Sequence, residues 1–136
     1  MSYSDEQMQM LKNLMPQLIQ SGAENGYIYH IKQMPTGIIN GYVHVTSKSK
    51  FFGVHYNQLQ HLNVHGGLTY SELEESSSGA EWVLGFDTAH LISRNMYIGE
   101  RGEPIPQVQT QNLVWNEIKK LTLQMREEEI ADEQQN

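Results

Sequence analysis

Apolar residues in this chain recur first at helical spacing, then in strand-like alternation, then at helical spacing again. Ser4-Asp-Glu-Gln7 opens the first segment with a capping serine, first-turn acids and a capping-box glutamine. Met8, Leu11, Leu14, Met15, Leu18 and Ile19 follow as one apolar stripe, which predicts an amphipathic helix. Pro16 removes an amide within it and predicts a kink or a split; Gly22 is the expected C-cap.

Strand signals follow. Tyr27 to Met34 alternates and is rich in aromatic and β-branched residues, and Pro35-Thr-Gly37 is turn chemistry. Ile38 to Thr46 then predicts a second strand, paired with the first as a hairpin. Tyr42 and His44 fall on one face of it, and Val43 and Val45 on the other, which is the expected core face. Ser47-Lys-Ser-Lys50 reads as a solvated loop, with a lip for an anionic ligand as the alternative. Leu62 to Val64 and Leu68 to Ser71 predict a strand broken at Gly66-Gly67. Glu72 to Ala80 reads as a flexible connection, and Trp82 to Asp87 as a further strand. Thr88 to Gln109 is irregular. Thr110 is the expected cap of a last helix with Val114, Ile118, Leu121 and Met125 as its stripe, widened by Trp115. Beyond Arg126 the chain is charged and glutamine-rich, and a frayed tail is expected over about residues 127–136. The sum is a single α+β domain over residues 1–136: a small antiparallel sheet of four to five strands packed with N-terminal and C-terminal helices.

Composition narrows the function classes. Nine Lys+Arg against 16 Asp+Glu give a formal charge of −7, a field that repels phosphate backbones and argues against long nucleic acid as a partner. A small anionic ligand remains compatible, because backbone amides and single basic residues make local positive pockets. The absence of cysteine excludes disulfides and zinc–thiolate sites. The first residues lack a basic n-region, and no stretch approaches the roughly 18 apolar residues of a membrane span, so a cytoplasmic protein with no membrane partner is expected.

Candidate chemistry concentrates in His61 to Ser71 and Trp82 to His90. Histidine, hydroxyl, carboxylate and aromatic groups crowd there beside glycines that interrupt strand pattern, the mark of a bend or a close approach. The two segments could place His65, Thr69, Tyr70, Asp87 and His90 around one cleft. Tyr42 would add a stacking surface, Gly66 and Gly67 amides for a phosphate, and Arg94 a cation.

Gly41-Tyr-Val, Phe52-Gly-Val-His-Tyr56, Val64-His-Gly-Gly-Leu-Thr-Tyr-Ser71, Trp82-x-x-Gly-Phe-Asp-Thr-Ala-His90 and a tryptophan-bearing last helix occur in that order. In this the chain resembles an uncharacterised family of small phage-encoded proteins, over roughly residues 40–125. The resemblance implies a viral setting, with the host cell cytoplasm as the location, and little chemistry. Where that family continues with Ala-Gly-Asp after the second histidine, this chain has Leu91-Ile-Ser.

Three readings of the cluster stand side by side. In the first, a small-ligand binding protein of phage type recognises, and by sequestering counters, a phosphorylated nucleotide-like molecule such as a host immune signal. Tyr42, His65, Gly66, Gly67, Thr69, Tyr70, Asp87, His90 and Arg94 would bind it. In the second, His65, Asp87 and His90 form a catalytic centre that hydrolyses a nucleotide. In the third, the cluster is structural and the acidic surface engages a host protein. No cofactor is expected; a divalent metal on His65, Asp87 and His90 would suit the ligand types but matches no established spacing. A homodimer is expected, burying Met8, Leu11 and Met15, or Trp115 and Ile118, against a second copy.

Overall fold

A computed structural model describes residues 3–88 and 107–135 of the chain. Its order is α1 (Asp5–Asn13), β1 (Gln17–Glu24), β2 (Tyr27–Gln33), β3 (Ile39–Val45), a 3-10 helix (Tyr56–Leu59), β4 (Tyr70–Ser76), β5 (Gly79–Phe86) and α2 (Gln107–Gln135). The fold is α+β. Its five strands form one antiparallel sheet ordered β1-β2-β3-β5-β4, on which the long C-terminal helix packs.

The first segment departs from the helical expectation. The Ser4 capping box forms as the sequence predicts, but α1 ends at Asn13 and buries none of its residues. Pro16 has no amide to continue the helix, and Gln17 turns its side chain back to donate to the Lys12 and Met15 carbonyls at 2.8 and 3.3 Å. Leu18 and Ile19 therefore belong to strand β1. Gly22 lies inside that strand, and Asn25-Gly26, both at positive φ, make the tight hairpin turn into β2.

The β2–β3 hairpin forms as expected. Gly37, at φ 92°, donates to the Met34 carbonyl at 2.8 Å. Tyr27, Tyr29 and Ile31 of β2 share the buried face with Ile39, Val43 and Val45 of β3 and Leu84 and Phe86 of β5. Val114, Ile118, Leu121 and Met125 of α2 meet them at zero exposure. Thr110, the expected cap, is instead a buried residue within the helix.

The chain from Thr46 to Thr69 straps across the same face, inserting Phe51, Leu59, Leu62, Val64 and Leu68 into the core. Leu62 to Val64 is thus strap and not strand. Glu72 to Ser76, expected to be a loose connection, is most of edge strand β4. Nor does helix α2 fray after Arg126. Glu128 and Asp132 bind Lys50 Nζ at 3.0 and 2.6 Å, while Glu129 accepts from Ser49 Oγ at 2.7 Å, from the Lys50 amide at 2.8 Å and from the Tyr27 hydroxyl. No helix among the described residues packs on the opposite face of the sheet, which carries His30, Lys32, Asn40, Tyr42, His44, Tyr70, Glu72, Glu74 and Glu81.

Candidate functional site

Strand register brings four residues into one row on that open face: His30 of β2, Tyr42 of β3, Gly85 of β5 and Tyr70 of β4. Gly85 is a glycine because Tyr42 lies on it. A Cβ at Gly85 would stand 2.7 Å from Tyr42 Cδ1. Over this gap Tyr42 and Tyr70 meet edge to face, with ring centroids 5.5 Å apart. Lys32 Nζ sits 5.2 Å from the Tyr42 ring centroid. Beside it, Asn40 donates to the Tyr42 hydroxyl at 3.2 Å, while its Oδ1 is buried and accepts no hydrogen bond among the described residues. Burial, then the carboxylates of Glu74 and Glu72, push the Tyr70 phenol above its ordinary value, so it stays a neutral donor.

At the end of β5, Thr69 joins the group. Its amide donates to the Gly85 carbonyl at 2.9 Å and its hydroxyl to Asp87 Oδ2 at 3.1 Å. Tyr42, Thr69, Tyr70 and Asp87 are therefore gathered at one end of the sheet, with Gly85 as the spacer between the two tyrosines.

His65, Gly66 and Gly67 belong to the strap. The His65 amide donates to Glu117 Oε1 of α2 at 2.5 Å, and the Gly67 amide closes a turn onto the Val64 carbonyl at 2.8 Å. Gly66 and Gly67 have φ of 83° and 79°, and Gln60 Oε1 lies 2.7 Å from where a Gly67 Cβ would be. Their geometry serves the turn, and the amides of His65, Gly67 and Thr69 are each donated to a protein acceptor. His90 and Arg94 lie outside the described residues. Of the two lysines in the expected lip, Lys50 pairs with Glu128 and Asp132.

A second constellation on the open face joins His30 and His44, neither of which stood among the sequence candidates. His44 Nδ1 contacts Glu81 Oε2 at 2.9 Å, and His44 Nε2 contacts His30 Nδ1 at 3.1 Å. Burial, then the neighbouring His44 and Lys32, hold His30 below its ordinary value. The signal was available: once the hairpin is granted, Tyr42 opposite His30 places His44 on the diagonal. Among the described residues, no three His, Asp or Glu side chains converge as a metal-binding group. No helix among them is long and apolar enough to cross a membrane.

Neither family models, nor curated proteins, nor solved structures give a match to this chain.

Proposed function

We propose that the protein is a small-ligand binding module that captures a planar, nucleotide-like molecule on the open face around Tyr42, Tyr70, Thr69 and Asp87. The observation that carries this reading is the tyrosine pair held over Gly85 beside an orphaned acceptor. Two aromatic rings at the sheet surface offer a stacking platform, and stacking is tolerant of base identity. Asn40 Oδ1, without a donor among the described residues, carries a cost on the order of 1–3 kcal/mol that an N–H on a ligand edge would remove. Asp87 and Thr69 supply an acceptor and a hydroxyl for sugar or amine groups, and Lys32 supplies the cation for an anionic end. The resemblance to phage proteins adds a setting, since stoichiometric capture depletes a host signal without turnover.

Calorimetry with AMP, ADP-ribose and cyclic dinucleotides tests the reading. At least one is expected to bind, and Tyr42→Ala is expected to weaken it by about 1–3 kcal/mol, the worth of one stacked base. Absence of binding by every nucleotide at high micromolar concentration overturns it. After long incubation the ligand should return intact on denaturation of the protein; product in excess of protein would favour the hydrolase reading on His65, Asp87 and His90 instead.

A further inference from the structure

The Glu81–His44–His30 chain lies in a groove of about 570 Å³, lined also by Ile28, Glu74 and Ser76, with no lysine or arginine among its lining residues. A carboxylate only accepts, so His44 Nδ1 carries the proton given to Glu81. In the neutral ring His44 Nε2 then presents its lone pair, which faces His30 Nδ1 at 3.1 Å and accepts from it. A carboxylate that orients an imidazole in this way is the usual outer partner of a metal-bound histidine.

We propose that His30 and His44 bind a divalent transition-metal ion of the zinc or nickel class, with Glu81 as the residue that positions His44. Two metal–nitrogen bonds of about 2.0–2.1 Å at a tetrahedral angle span roughly 3.3 Å, close to the separation already present between the two ring nitrogens. The ion takes the place of the shared proton. His30 moves that proton from Nδ1 to Nε2, so the neutral pair releases none on balance. Glu74 and Glu81 give an independent reason to expect a cation. They stand directly opposite each other across β4 and β5, an arrangement of like charges that weakens a sheet unless a positive group offsets it. Imidazole nitrogen selects zinc, nickel or copper over magnesium. Water completes the coordination, and Glu74 lies on the same groove wall. This site is separate from the tyrosine platform and does not rest on the nucleotide reading.

The test is titration of the untagged full-length protein with zinc sulfate and nickel chloride, with magnesium chloride as the hard-ion control. Binding is followed by calorimetry and by the imidazole nitrogen shifts in NMR. One zinc ion per chain is expected, with shifts at His30 and His44 and none with magnesium. His30→Gln should abolish binding, and Glu81→Gln should weaken it by at least about tenfold. His55→Gln, which alters an exposed histidine on the strap, should leave it unchanged. Zinc binding by His30→Gln equal to that of the parent, or nitrogen shifts confined to other histidines, overturns the proposal. So does the absence of binding at micromolar zinc. Circular dichroism of each variant separates loss of the site from loss of the fold.

Discussion

Two glycines in this sheet have ordinary backbone angles and are glycines for the sake of their neighbours. At Gly41 a Cβ would stand 2.5 Å from Phe86 Cζ and 3.0 Å from Ile118 Cδ1, at the crossing of β3 and helix α2. Gly41→Ala is expected to destabilise the fold by about 1–3 kcal/mol through overpacking, read as a lowered urea midpoint at unchanged slope. Gly85→Ala should behave differently. It pushes on the half-buried Tyr42 ring at the surface, which can rotate away, so nucleotide binding should fall by more than stability does. In the sequence both positions look alike, as breaks in a strand pattern. Which atom fills the gap depends on the register of three strands, and periodicity does not carry that information. The same limit hid the His30–His44 contact, which needs the diagonal of a hairpin and not the spacing along either strand.

Elements with one buried face were legible from their pattern; elements with none were not. β2, β3, β5 and the buried stripe of α2 alternate or repeat as their packing requires. β4 is an edge strand with Glu72, Leu73, Glu74 and Glu75 all exposed, so it has no apolar period to announce it. Leu18 and Ile19 continued a helical stripe by coincidence across Pro16, and Asn25-Gly26 was the overlooked sign that a hairpin lay there. The last turns of α2 look solvated by composition, yet their acids are acceptors for the strap and for Tyr27. Glu129→Ala strands three donors, the Ser49 hydroxyl, the Lys50 amide and the Tyr27 hydroxyl. A loss of about 1–3 kcal/mol is expected in urea unfolding, with faster amide exchange after Arg126. Glu128 adds a pH signature. Burial pushes its carboxyl up, but hydrogen bonds from His61 and Lys50 outweigh this and hold it below its ordinary value of 4.5. A depressed carboxylate stabilises the fold above that value and loses the contribution as pH falls through its folded pKa. Acid unfolding of Glu128→Gln should therefore be less steep below pH 4.5 than that of the parent, on a lower plateau near neutrality.

For the whole molecule, assembly is expected to begin at the N-terminal side of the sheet. Ile118 is wholly buried within its own chain and Trp115 packs on Tyr29 at 4.9 Å, so that part of the expected dimer surface is already taken. Met8, Met10, Leu11, Leu14, Met15 and Leu18 remain 39–71% exposed. Strand β1 beside them is a sheet edge with no charged residue from Gln17 to Ala23, and nothing on it repels an antiparallel copy of itself. A twofold dimer through β1 and α1 is the expected state. Light scattering should give twice the chain mass, and Leu18→Lys should return it to one; a single-chain mass for the parent at high micromolar concentration would sink the idea. The strand order has a last consequence for how the chain is made. A ribosome releases β2, β3 and β5 well before α2, whose stripe covers much of their apolar face. Until residues near Met125 emerge, at a synthesis rate of roughly 5–20 residues per second, that surface lacks the cover α2 gives it and has, among the described residues, the strap. The nascent chain thus spends seconds as a sticky sheet, and its demand for chaperones should depend on how quickly the codons for α2 are translated.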